Sequence, residues 1–188
     1  MPVIQVTLLP GYSSSAEERI VQRLADAVRS VIAAPASGTT VSIYHASTYM
    51  RDGRVFKAGG AELADGKSVV ESFLDQMQRR DLVSARQWLS DDFHMTFPGG
   101  AVMHELDELV QWAKSRYARV SKVYEQFDQC WRGDSVVVYC FGYLQGQWLD
   151  GSEILNVRFI DRFELANGKI CRQDVWNDLA EAKQLKHK

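Results

Sequence analysis

Two residues have the type and setting for proton chemistry: Pro2 and Asp161. The chain opens Met-Pro-Val-Ile-Gln-Val-Thr-Leu-Leu-Pro-Gly. If Met1 is removed, Pro2 becomes a free secondary amine. An α-amino group titrates near ~7.7–8.0, and burial or a nearby cation lowers that value. A neutral amine can then act as a general base on a carbon acid. With Met1 in place, the Pro2 nitrogen is a tertiary amide and has no basicity. Asp161 stands out by its company. Side chains alternate along a strand, so Leu155, Val157, Phe159, Asp161, Phe163 and Leu165 share one face. A carboxylic acid among apolar neighbours either pays for its burial or shifts its pKa upward. Held protonated, it donates a hydrogen bond to an oxyanion. The structural alternative is a pair with Arg158, Arg162 or a buried tyrosine. His94 is a candidate base because imidazole titrates near neutrality; it follows two acids at a strand start. Asp128 shares a face with Tyr124, Gln126 and Cys130 and is open to either reading.

The elements that must position these groups fall into two sets. Val3 to Leu9 is β-branched and apolar, a strand ended by Pro10-Gly11. Ser13-Ser14-Ser15 with Glu17 and Glu18 gives overlapping capping boxes. The helix they start carries Ile20, Val21, Leu24, Ala27, Val28 and Val31 on one face and is expected to reach about Ala34. Thr40 to Ala46 is a second strand, which completes a βαβ unit. A unit of ~45 residues is too small to hold a core alone, so it is expected to pair with copies of itself or dock elsewhere. Domain boundaries are read as 1–57 for this unit, 58–66 for a Gly-rich linker and 67–182 for a second domain.

In the second domain, Val69, Val70, Phe73, Leu74 and Met77 form a helical stripe, and a short helix begins at Leu82. Phe93 to Phe97 is a strand, and Leu106 to about Val120 a third helix. Four strands follow, over 122–131, 135–145, 153–165 and 169–177, with a glycine in each intervening turn. Helices followed by an antiparallel sheet make this an α+β fold. Long twisted strands around a helix leave a cavity suited to a small molecule. Val137, Tyr139, Phe141 and Tyr143 form an aromatic stripe expected in a core or subunit interface.

Composition excludes several classes. The net charge is −2 with signs interspersed and 46% of residues are apolar, so neither nucleic acid nor a membrane is an expected partner. No secretory leader pattern opens the chain. The three cysteines, Cys130, Cys140 and Cys171, have no metal spacing, and are expected to be free buried thiols in a reducing cytoplasm. There is no phosphate loop, dinucleotide fingerprint or metal-ligand motif, and no cofactor is expected.

The first ~56 residues resemble the 4-oxalocrotonate tautomerase family, on Pro2, the strand to Leu9, Gly11, the capped helix and Ala34-Pro35. The resemblance implies keto–enol isomerisation with a terminal proline as base, and assembly into a homo-oligomer. The family's two substrate-binding arginines are replaced here by Tyr12 and Thr40.

Residues ~67–180 resemble the nuclear transport factor 2-like superfamily, especially SnoaL-like polyketide cyclases and ketosteroid isomerase. The marks are Arg80-Asp81-Leu82, Leu89-Ser90-Asp91-Asp92, Ile160-Asp161-Arg162-Phe163 and Asn167-Gly168-Lys169-Ile170. The resemblance implies a cone of helices on a curved antiparallel sheet. It puts Asp161 at the isomerase's protonated aspartate, which is the case used to illustrate that chemistry. It puts Phe73 where the isomerase has its tyrosine donor and Phe97 where it has its aspartate base. It also turns Cys171, Gln173, Val175 and Asn177 into the cavity, with Gln173 and Asn177 orienting a ligand.

The chain is therefore read as a small-molecule isomerase-type enzyme. It would transfer protons without a cofactor, using Pro2 as base and a SnoaL-like pocket for a carbonyl or hydrophobic substrate. The alternatives are a non-catalytic ligand-binding or oligomerisation protein, and a cyclase-like enzyme acting only through the second cavity. Phenylenolpyruvate and 2-hydroxymuconate are the natural probes.

Overall fold

The computed structural model describes residues 1–185. The chain divides into two compact units, Met1–Glu62 and from Leu63 onward. No helix among the described residues is long and apolar enough to cross a membrane.

The first unit is the expected βαβ arrangement. Strand β1 (Val3–Leu8) runs parallel to β2 (Thr40–His45), from Val3 opposite Thr40 to Leu8 opposite His45. Helix α1 (Ser14–Arg29) connects them, and Ser13 caps it by accepting the Ala16 N–H at 3.2 Å. The helix stops at Arg29, short of the expected Ala34. The Ser30 hydroxyl donates to the Ala27 carbonyl at 2.7 Å, and β-branched Val31 and Ile32, poor helix formers, follow it. A hairpin of β3 (Tyr49–Arg51) and β4 (Arg54–Phe56) was not anticipated. Its Asp52-Gly53 turn has both φ angles positive, at 50° and 73°, which is the type I′ signature. Residues read as linker are tied back to this unit: Gly59 N–H donates to the Pro10 carbonyl at 3.0 Å and Gly60 N–H to the Tyr12 hydroxyl at 2.9 Å. Ala16 is its only buried hydrophobic residue among those described, so the unit has little core of its own.

The second unit packs helices on a curved six-stranded sheet. Helices α2 (Gly66–Gln78) and α3 (Leu82–Arg86) come first. Then follow β5 (Leu89–Phe97), β6 (Ala101–Met103) and α4 (Leu106–Lys114). The long strands are β7 (Tyr117–Arg132), β8 (Ser135–Trp148), β9 (Glu153–Ala166) and β10 (Lys169–Asn177). A last helix, α5 (Leu179–Leu185), follows them. Sheet order is β6-β5-β10-β9-β8-β7, with only β5 and β10 parallel. The core lies between α2 and the inner sheet face, where Phe73 meets Phe163 edge to face at 6.0 Å. Helix α4 ends at Lys114, not near Val120. From Tyr117 the chain pairs with β8, and Val120, Lys122 and Tyr124 alternate at strand period.

Register shifts decide which side chains face in. The β7 ladder slips between Tyr124 and Gln126, the β8–β9 ladder between Leu144 and Gly146, and the β10 ladders between Ile170 and Arg172. These are bulges, and each turns the following residues to the other face. Asn156, at φ 50°, marks the second one. Three expectations are corrected by them. Leu155 is exposed and Ile154 takes the inward place. Asp128 points outward while Phe127 and Gln129 turn in. Cys171 is displaced from the inner face, and Ile170 is buried there instead. All three cysteines are free, but only Cys140 is buried; Cys130 is exposed. The stripe from Val137 to Tyr143 lies on the sheet face away from α2, because Val138, Cys140 and Leu144 supply the core.

Close approach of β7 to β8 needs glycine at two places. A Cβ on Gly142 would lie 2.0 Å from the Val123 carbonyl oxygen, and one on Gly146 would lie 2.1 Å from that of Arg119. Gly142→Ala is expected to destabilise the fold by about 1–3 kcal/mol through forced backbone movement. A chemical-denaturation midpoint equal to that of the unaltered protein would contradict this.

Candidate active site

Asp161 is fully buried. It sits opposite Cys140 on β8 and Val175 on β10. Its partner is neither arginine nor tyrosine but Lys122. The Lys122 ammonium donates to Asp161 Oδ2, and Gln173 Nε2 donates to the same oxygen at 3.3 Å. Asp161 Oδ1 is buried with no hydrogen-bond partner among the described residues. The lysine reaches its partner across a strand. Lys122 on β7 faces Leu144, Asp161 on β9 faces Cys140, and Gly142 between them on β8 has no side chain in the way. The ammonium lies 4.7 Å from the centre of the Phe159 ring, within range of a cation–π attraction.

Burial pushes the Asp161 carboxyl above its ordinary range, opposed first by the Lys122 charge and then by the hydrogen bonds from Lys122 and Gln173. Burial also pushes the Tyr124 phenol up strongly, helped by the Asp161 charge, so it stays a neutral donor. Cys140 is pushed up for the same reasons and is an inert thiol. Immediately around Asp161 stand one cation, Lys122, and the neutral groups Gln173, Tyr124 and Cys140.

Lys122 stands where two cavities meet. The larger, of about 460 Å³, lies among α4, the first half of β7, β9 and α5; Trp112, Tyr117, Trp148 and Phe159 give it aromatic walls. The smaller, of about 140 Å³, lies under α2 and is lined by Phe73, Tyr124 and Gln173. Phe97, Tyr117, Val120 and Lys122 line both. With 21% of its side chain exposed, Lys122 presents the charge while Asp161 holds it from behind. A cation fixed against apolar walls stabilises negative charge developing on an oxygen far better than it would in water.

The residues expected from the sequence separate clearly. Phe73 and Gln173 line the smaller cavity, Asn177 the larger, and Phe97 both. Asn177 Oδ1 also accepts the Leu179 N–H at 3.2 Å at the start of α5. His94 lies outside both cavities. Its neighbours Phe93 and Met95 point into the core, and it sits 6.3 Å from the His104 ring. Pro2 belongs to the other unit, where its carbonyl accepts the Thr40 N–H at 3.1 Å. A cavity in that unit lies at the far end of β1, at Thr7, Leu8 and Leu9. Lys122 was missed, although its alternation with Val120 and Tyr124 placed it on an inward face. No group of three His, Cys, Asp or Glu side chains converges as a metal site among the described residues.

Comparison with known proteins bears on the fold. No family model matches the chain, and no curated protein matches it. An NTF2-like protein of unknown function from Burkholderia pseudomallei superposes with a TM-score of 0.53 at 20% identity, covering 65% of this chain and 98% of that one. TerC crystallised with polyporic acid gives 0.53 at 14%, covering 65% and 98%. A protein from Jannaschia assigned as a SnoaL-like polyketide cyclase gives 0.50 at 19%, covering 66% and 96%. The NTF2-like fold, with helices packed on a curved sheet, is thereby shown for about two thirds of the chain. The resemblance of the first unit to tautomerases rests on its own residues.

Removing the lysine alone would leave a buried carboxylate without its counter-charge, so Lys122→Met is expected to cost about 3–5 kcal/mol. The sign with pH follows from the raised carboxyl. The folded chain binds this proton more readily than the unfolded one, so the cost of burial appears only as pH rises through the folded pKa. The Lys122→Met deficit should therefore be larger at about pH 8 than at about pH 5. The double variant Lys122→Met/Asp161→Leu should recover most of it. Urea melts at both pH values check this; a pH-independent deficit, or no recovery, would contradict it.

Proposed function

We propose that the second unit is a cofactor-independent isomerase- or cyclase-type enzyme, acting on a small, largely apolar carbonyl compound in the larger cavity. The observation that carries this reading is the Lys122 ammonium, fixed by a buried carboxylate and turned into aromatic walls. The size of the cavity falls within the range of small-molecule sites, ~300–1,000 Å³. The fold likeness to a protein assigned as a polyketide cyclase and to TerC with its bound polyporic acid is in keeping with it.

An enol becomes its ketone by gaining a proton at carbon and losing one at oxygen. The Lys122 ammonium gives the first proton, the resulting amine takes the second, and no oxidation state changes. In an aldol-type cyclisation the same charge would hold the enolate oxygen while its carbon adds to a second carbonyl carbon of the substrate, whose C=O π bond opens to an alkoxide that takes up the proton released on enolisation. Asp161 is a positioning residue that aims the charge, and Gln173 fixes the carboxylate. General acid–base transfer of this kind is worth roughly 10²–10⁴-fold.

A second reading keeps the proton transfer at Pro2. It is favoured by the parallel βαβ pairing that surrounds that residue, and it needs Met1 to be removed. The thin core of the first unit, with Val3 and Tyr44 exposed, supports its joining with copies of itself in a homo-oligomer. Cytoplasmic residence fits both readings.

Ketonisation of phenylenolpyruvate followed by absorbance separates them. The cavity reading expects Lys122→Met/Asp161→Leu to lose about 10²-fold or more in kcat/KM while remaining folded, Lys122→Arg to lose most of the rate as well because a guanidinium does not release its proton, and Pro2→Ala to be unaffected. An unchanged rate in the double variant sinks it. A rate lost only in Pro2→Ala, with Met1 absent by intact mass, transfers the activity to the first unit.

A further inference from the structure

The charge pattern of the larger cavity specifies its ligand further. Three cationic side chains line it, Arg116, Lys122 and Lys183, and no acidic side chain does so among the described residues. Asp161, the nearby acid, is behind the wall and committed to Lys122. The cations are also arranged by depth. Lys122 is part-buried on β7, reaching across β8, whereas Arg116 and Lys183 are exposed and therefore stand at the mouth. Each mouth cation rests on a tryptophan of the lining: the Arg116 guanidinium is 4.0 Å from the Trp112 ring centre and the Lys183 ammonium 5.6 Å from that of Trp148. Neither pairs with a carboxylate among the described residues. Stacking restricts the freedom of a long side chain and leaves its hydrogen-bond donors directed at an incoming group. Charges of one sign on low-dielectric walls also concentrate counter-charge inside.

We propose that this cavity takes an aromatic anion. Its ring packs between the tryptophans, and its carboxylate, sulfonate or phenolate group is held at the mouth by Arg116 and Lys183. In the reaction described above, and only if that reading holds, the oxygen being enolised lies on Lys122. The substrate is then an aromatic ketone or enol that also carries an ionised oxygen group. A neutral hydrophobic ketone would leave the mouth cations idle.

Two fluorescent probes isolate the claim: 8-anilinonaphthalene-1-sulfonate, and N-phenyl-1-naphthylamine, which has the same rings without the sulfonate. Titration at low salt is expected to show one site that binds the sulfonate about tenfold tighter, and added salt should shrink that preference. Arg116→Gln/Lys183→Gln should bring the two probes to within about twofold, mainly by weakening the anion. Both substitutions are on exposed side chains and leave the core intact. Absence of saturable sulfonate binding, equal affinity in the unaltered protein, or a preference that survives the double substitution would each overturn the proposal. The assay reads binding alone. Loss of turnover in the Lys122 variants with the anion preference intact would support both readings. A preserved preference in a protein that fails to ketonise phenylenolpyruvate would sink the reaction and keep the ligand class.

Discussion

A carboxylate that water cannot reach has to find a counter-charge or give up its own charge, and in this chain Asp161 imposes that condition on everything around it. Its answer is Lys122, two strands away on the same sheet. The pair ties β7 to β9 over the bare backbone of Gly142. It also determines where the ammonium points, because the flexible stem of a lysine would otherwise carry its charge out to solvent. Gln173 completes one carboxylate oxygen, and the other has no hydrogen-bond partner among the described residues. Such an arrangement is weak evidence of stability, since a well-packed apolar pair would serve the fold at least as well. Its retention fits a use for the charge, and the cavity in front of Lys122 provides one.

The shape of the sheet follows from bulges rather than from regular strands. Each slip in the ladder moves one residue out and brings its neighbour in, and added curvature comes with the local twist. Lys122 and Tyr124 precede the slip in β7, so they face the cavity; Asp128 follows it and is lost to the outside. The slip in β9 precedes Asp161, so the run from Val157 to Leu165 keeps its inward face while Leu155 does not. Helix α4 stops early for a related reason. The residues that would have been its last turns open β7 and form the wall that divides the two cavities.

Much of this was legible in the residues. The α+β class, the βαβ opening, the four long strands and the inward Asp161 follow from periodicity and turn chemistry. Phe73, Phe97, Gln173 and Asn177 do line cavities. What periodicity could not supply is the position of a bulge, because one inserted residue leaves the pattern on either side intact. Cys171, Leu155 and Asp128 were misplaced for that reason. The partner of Asp161 was hidden differently. Arg158 and Arg162 are near it in sequence, but alternation sends both to the opposite face, where Arg162 pairs with Glu164 and Asp174. Lys122 is distant in sequence and close only once β7, β8 and β9 are in register. His94 looked attractive for its chemistry alone, and its strand turns it away from both cavities.

The central claim is that a buried, proton-seeking carboxylate holds the Lys122 charge at the cavity. Its most direct measurement is a ¹³C NMR titration of the Asp161 carboxyl carbon. The account predicts a midpoint above the ordinary aspartate value of about 3.9, moving further up when Lys122 is replaced by methionine. A midpoint at or below that value, unmoved by the loss of Lys122, would contradict it.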